Sequence, residues 1–129
     1  MGEPTREVRL TGAARRDLLA VLTWSMKEFG ERAALRYDAL IKQALKDIGE
    51  NPDRPGSRAR DDIATNGVRT YHLSFSRSRV GGVTVKPPRH LLLYRPSGKG
   101  VIEVGRILHD SRELRRHLPQ NYGSGPSAS

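Results

Sequence analysis

The sequence predicts an α+β domain: an antiparallel β-sheet with an N-terminal α-helical hairpin packed on one face. Three observations carry this. Residues 12–29 and 31–48 repeat apolar side chains at helical spacing, with a lone glycine between them. From Val68 the apolar period changes to two. Near the end, Gly100–Asp110 (GVIEVGRILHD) is apolar on both alternating faces, as a central strand covered on each side should be.

Glu7–Thr11 (EVRLT) reads as a short strand, with Val8 and Leu10 alternating against charged neighbours. Thr11 suits an N-cap, because its hydroxyl can accept from a free N–H of the first helical turn. The helix that follows should bury Ala14, Leu18, Val21, Leu22, Ser25 and Phe29 and stop at Gly30. In the next helix, Ala33, Tyr37, Leu40, Ile41, Ala44, Leu45 and Ile48 form an apolar stripe, ended by Gly49 and Asn51–Pro52. So short a link forces an antiparallel hairpin, and Trp24 reads as part of its helix–helix contact, with ligand stacking as the alternative.

Residues 51–66, rich in Pro, Gly and paired charges, read as a loop. Val68–Ser76 should be a strand, with Tyr71, Leu73 and Phe75 on one face and Arg69 and His72 on the other. Arg77–Pro88 breaks the pattern, with a turn at Gly81–Gly82 and a strand extension at Val83–Lys86. Arg89–Arg95 is a buried-looking strand, and Pro96–Gly100 a turn into the central strand. There Ile102, Val104 and Leu108 should share one face and Ile107 the other, while Arg106 and His109 are delivered to an edge. Ser111 can cap a short helix packed through Leu114 and Leu118, leaving a flexible tail from Pro119. The reading is one domain over 1–118, a tail over 119–129, and a sheet face left for basic residues.

Without cysteine there are no disulfides, thiolate metal sites or Cys nucleophiles. No apolar run approaches the roughly 18–20 residues that span a bilayer, and the opening MGEPTREVRL lacks a signal-peptide core, so a cytoplasmic location is expected. The formal charge of +9 is unevenly spread: residues 1–68 hold 12 Lys/Arg against 11 Asp/Glu, and residues 69–129 hold 11 against 3. The second half therefore favours an anionic partner, nucleic acid or acidic protein.

The four histidines lack metal-ligand spacing, so no metal is expected; nor is there a nucleophile elbow or a phosphate loop. What remains is a basic face that includes Arg69, Arg95 and Arg106, with Tyr71, Tyr94 and His109 among the cations. RNA cleavage through the 2′-OH would need a base, an acid and cationic stabilisation, roles open to Tyr94, His109, Arg69 and Arg106. Binding an acidic partner would need no chemistry at all. Residue types leave both open.

The chain resembles ParE-type toxins of the ParE/RelE superfamily, the stable half of bacterial type II toxin–antitoxin pairs. The likeness starts at Leu10–Thr11 and runs through both helices, including Ala14, Asp17, Leu18, Phe29, Gly30, Ala33, Tyr37, Leu40, Asn51 and Pro52. It resumes at Gly67–Val68–Arg69 and His90–Tyr94–Arg95, and closes with Arg106–Ile107–Leu108–His109 and Arg116–His117–Leu118. It implies a β-α-α-β-β-β-α domain, no cofactor, and a ParD-like antitoxin that contacts DNA through a ribbon-helix-helix half. ParE-branch toxins are described as poisons of DNA gyrase, whereas RelE-like members cut mRNA on the ribosome. Tyr122 lies in the glycine-rich tail, where no fixed catalytic pose is expected, which favours the ParE branch. The stretch Ser76–Pro88 is longer than the family's usual passage and adds basic charge.

The resemblance marks no gyrase-contacting motif, so the expected target surface rests on residue chemistry: Arg69, Tyr94, Arg95, Arg106 and His109, with Arg112, Arg115 and Arg116 as a second basic patch. The expected antitoxin groove comprises Leu18, Leu22, Tyr37, Ile41, Leu91 and Leu93, taking a helix or an added strand.

Overall fold

Thr11 shows how the fold is joined. In the computed structural model, which describes residues 5–64, 66–80, 87–119 and 122, strand β1 (Glu7–Leu10) leads into helix α1 (Gly12–Phe29) through this residue. The Thr11 side chain accepts from the Ala14 N–H at 3.1 Å, completing the cap. Its hydroxyl donates to the Gly105 carbonyl at 2.8 Å, and its N–H donates to that of Val104 at 3.0 Å, so the helix start is tied to the central strand. Gly30, at φ 92°, joins α1 directly to α2 (Glu31–Glu50), a backbone shape that glycine adopts without Cβ strain. Gly49 does not end α2; it lies inside the last turn, where its carbonyl accepts from Arg6 N at 2.9 Å.

Strands β2 (Ser57–Ala59), β3 (Arg69–His72), β4 (His90–Pro96) and β5 (Val101–His109) complete one five-stranded sheet in the order β1-β5-β4-β3-β2. All neighbours are antiparallel except β1 and β5, which run parallel from Glu7↔Val101 to Leu10↔Val104. The fold class is therefore α+β, with two departures from expectation: a parallel edge and an added strand, β2, inside the supposed loop.

Three further expectations are corrected. The strand read over Val68–Ser76 stops at His72 and turns into a 3₁₀ segment, Leu73–Arg79, which leaves Phe75 exposed. Arg69 lies on the same side as Tyr71, not opposite it, as strict alternation requires. The C-terminal helix is a single 3₁₀ turn, Leu114–His117, without the Ser111 cap. The proposed turn at Gly81–Gly82 and strand extension at Val83–Lys86 lie outside the described residues.

The register explains the largest correction. Leu93 pairs with Arg106 and Tyr94 with Val104, so Gly105 is the extra residue of a β-bulge. Beyond it the side-chain alternation inverts. Ile107, not Leu108, joins Ile102 and Val104 in the core, with Tyr71, Leu92 and Tyr94, beneath Ala14, Val21, Leu40, Ile41, Ala44 and Ile48 of the hairpin.

The opposite face is not left open to basic residues. Ala64, Val68, Leu93 and Tyr122 form a second buried cluster, flanked by Ile63 and Leu118. Since a fully buried large apolar side chain contributes about 1.5–3 kcal/mol, this cluster stabilises on the scale of a small domain's whole net stability. Tyr122, expected in a flexible tail, is 1% exposed and donates to the Glu103 carbonyl at 3.0 Å. The rest of that tail, residues 120–121 and 123–129, lies outside the described residues.

Candidate functional site

The residues expected to form one working face are dispersed around the sheet. At the end formed by Arg69 and Tyr94, polar groups hold one another in series. Arg69 Nε donates to Ser57 Oγ at 2.7 Å, Ser57 and Tyr94 hydroxyls meet at 2.5 Å, and Tyr94 donates to the Pro52 carbonyl at 2.6 Å. Tyr94 is fully buried, and burial pushes its phenol above the ordinary range. It anchors the 51–57 loop to the sheet and presents no proton to solvent.

Arg95 lies on the other face by alternation. Its guanidinium stacks 4.2 Å over the Tyr122 ring and pairs with Glu103 at 3.3 Å. Arg106 is occupied along the free edge of β5. It donates to both carboxylate oxygens of Asp17, at 2.7 and 3.0 Å, and to the His117 carbonyl at 3.0 Å. Asp17 also accepts from the Ile107 N–H at 2.9 Å. With β1 ending opposite Val104, an α1 side chain thus satisfies an edge donor that has no strand beside it.

His109 belongs to a third group, at the far end of β3, β4 and β5. Its ring meets His90 edge-on at 5.3 Å, and its Nδ1 lies 2.7 Å from Ser111 Oγ. The Tyr37 hydroxyl accepts from Arg89 N–H at 3.3 Å and shares a 2.6 Å hydrogen bond with His90 Nδ1, whose direction follows the His90 tautomer. Burial, reinforced by the neighbouring His109, pulls the His90 imidazole down to about 4, so it is neutral at pH 7. Tyr37 is pushed up to about 12, chiefly by burial. Asp110 accepts from Arg89 at 2.8–3.0 Å and lies 3.0 Å from His72 Nε2. The Arg89 hydrogen bonds hold its carboxyl far below the usual range.

Of these, His90, His109 and Ser111 border a cleft of about 490 Å³ between α1 and the sheet end, lined further by Ala20, Val21, Trp24 and Arg112. Trp24 is 51% exposed and edge-on to Phe29 at 5.4 Å, which corrects its expected place in the helix–helix contact. Arg112, Arg115 and Arg116 are exposed; Arg115 reaches the Asp62 carbonyl at 2.6 Å, and Arg116 pairs with Glu113 at 3.4 Å. Among the described residues, no group of three His, Cys, Asp or Glu is placed to hold a metal ion.

The expected antitoxin groove is also divided. Leu18, Leu22, Tyr37 and Leu91 are half-buried, but Ile41 and Leu93 are fully buried in separate clusters and offer no surface. Exposed apolar area lies instead on Leu19, Met26, Phe29 and Leu35 of the hairpin. Leu19, Leu22, Met26 and Phe29 recur at three and four residues, a second stripe already present in the sequence.

Fold and site together define a small cationic α+β domain with an open cleft at one sheet end. Residues 8–114 match the family described as the ParE toxin of type II toxin–antitoxin systems, parDE, and the chain belongs to that family. Among solved structures, it is similar to a chain described as the chromosomal ParDE TA system from P. aeruginosa. That likeness has a TM-score of 0.59 at 20% identity and covers 81% of this chain and 96% of that one, which shows a shared fold. No curated protein gave a match. No helix among the described residues is long and apolar enough to cross a membrane.

Proposed function

We propose that this ParE-family chain is neutralised by a ParD-like antitoxin and inhibits DNA gyrase by binding, in the cytoplasm and without covalent chemistry of its own. The family match and the likeness to a ParDE-system chain support the antitoxin, through which operator DNA would be contacted. One observation favours binding over RNA cleavage: the four candidate catalytic residues are not gathered. Tyr94 is buried in a structural chain of hydrogen bonds, Arg106 is committed to Asp17, Arg69 to Ser57, and His109 stands at the opposite sheet end. The gyrase surface is assigned to the accessible cations at that end, His109, Arg112, Arg115 and Arg116. The antitoxin surface is assigned to Leu18, Leu22, Tyr37 and Leu91 with the exposed stripe beside them.

Expression of the chain should arrest growth, and co-expression of a ParD-like antitoxin should relieve the arrest. Tyr94→Phe should retain arrest. His109→Ala with Arg112→Ala should abolish it while antitoxin affinity stays within about tenfold, or ~1.4 kcal/mol. Loss of arrest in a folded Tyr94→Phe protein would restore Tyr94 to a catalytic role and favour the RelE-like ribonuclease reading.

A further inference from the structure

Among the described residues, charge pairing around the cleft leaves Arg112 and Arg115 without a carboxylate partner, and Arg115 reaches only the Asp62 backbone carbonyl. The nearby carboxylates are already matched: Asp17 with Arg106, Asp110 with Arg89 and His72, Asp62 with Arg60, and Glu113 with Arg116. Arg112 is different. Among the described residues its guanidinium has no hydrogen-bond or ion-pair partner, although it borders the 490 Å³ cleft, a 190 Å³ extension beside Arg106, and a 320 Å³ hollow on the Arg115 side. It therefore stands on a ridge between concavities, with the half-exposed Trp24 in one and the exposed Arg115 in another.

We propose that this ridge and cleft bind single-stranded nucleic acid, with a base stacked on Trp24, a phosphate on Arg112 and a further phosphate towards Arg115. The cleft volume falls within the roughly 300–1,000 Å³ typical of small-ligand sites, room for a nucleotide unit. An aromatic surface beside a surplus cation is the combination by which proteins hold unpaired strands without reading sequence. Arg112 on the ridge and Arg115 in the hollow beyond it place two cations in series on one side of Trp24, an arrangement that suits a repeating anion better than a single carboxylate. A duplex keeps its bases stacked inside and cannot offer one to Trp24. The net charge agrees, since residues 69–129 carry 11 Lys/Arg against 3 Asp/Glu.

The proposal shares Arg112 and Arg115 with the assigned gyrase surface, and oligonucleotide binding by the isolated full chain tests it separately from gyrase inhibition. Trp24 is the sole tryptophan, so its fluorescence reports on this cleft alone. Titration with ten-residue oligothymidylate or oligouridylate should quench it saturably, and a response to either sugar supports the assignment. Arg112→Ala should weaken binding about tenfold and lower the salt slope by about 1. Trp24→Leu, followed by anisotropy of labelled oligothymidylate, should weaken binding about tenfold. Both positions are solvent-accessible, and circular dichroism confirms folding. Absence of quenching, or unchanged affinity in Arg112→Ala, would overturn the proposal. So would a ten-base-pair duplex binding equally well, which would reduce the contact to general charge attraction. Equal quenching by a ten-residue glutamate peptide would assign the cleft to an acidic protein instead.

Discussion

Replacing Asp17 tests how the fold closes the open edge of its central strand. The carboxylate accepts two hydrogen bonds from Arg106, at 2.7 and 3.0 Å, and one from the Ile107 N–H at 2.9 Å. Side-chain exposures of 23% for Arg106 and 16% for Asp17 place the pair between a screened surface bridge and a buried one. A surface pair contributes at most about 1 kcal/mol, whereas breaking a buried pair costs about 3–5 kcal/mol. An intermediate loss of about 2–3 kcal/mol follows for Asp17→Ala, since Arg106 retains the His117 carbonyl while Ile107 N–H loses its acceptor. Asp17→Asn keeps an oxygen for Ile107 and loses the charge, so about half that loss is expected. At a urea m-value of roughly 1.5 kcal/mol/M, Asp17→Ala should lower the midpoint by about 1.3–2 M. Urea unfolding followed by circular dichroism reads this directly. A shift below about 0.3 M, or equal effects of the two variants, would refute the edge-closing role.

Three other perturbations follow from the geometry. His90 titrates at about 4 in the fold against about 6.5 unfolded, so the unfolded chain binds the extra proton. Its contribution is intact above pH 6.5 and lost as pH falls towards 4; the loss amounts to roughly 2–3 kcal/mol by pH 4.5, and His90→Gln should flatten that part of a stability–pH profile. At Gly105 an added Cβ would lie 2.5 Å from Pro119 Cγ and 2.7 Å from Tyr122 Cζ. Gly105→Ala should therefore lose about 1–3 kcal/mol, and a cycle with Tyr122→Ala should show the two penalties to be non-additive in denaturant midpoints. Asp47 is fully buried and takes Ser76 Oγ at 2.5 Å, Arg79 at 2.9 Å and Arg54 at 3.4 Å. Asp47→Ala should cost about 3–5 kcal/mol by removing the buried acceptor of Ser76 and Arg54, and faster proteolysis within the 73–79 segment would reveal where the damage falls.

The helices were legible because their apolar periods are long and nearly unbroken, and Thr11 could be read as a cap from its chemistry alone. The bulge was less visible. Its signal was Gly105 inside an apolar strand run, and missing it exchanged Ile107 and Leu108 between faces. Tyr122 was lost in a tail of small polar residues, because one aromatic has no period; only the register of β5 creates the space that receives it. The dispersed site has a similar cause. Arg69, Tyr94 and Arg106 look alike as surface chemistry, but the partners that commit them, Ser57, Pro52 and Asp17, are 12, 42 and 89 residues away. Trp24 was misplaced because a lone aromatic on a helix flank packs inward or rims a cleft with the same sequence spacing.

The most direct test of a gyrase-binding toxin compares two readouts from one antitoxin-free preparation: supercoiling and cleavage-complex accumulation by gyrase, and integrity of mRNA on translating ribosomes. Inhibited supercoiling with intact mRNA is the expected result. Codon-phased mRNA cuts with normal gyrase would contradict it and make the protein an endoribonuclease.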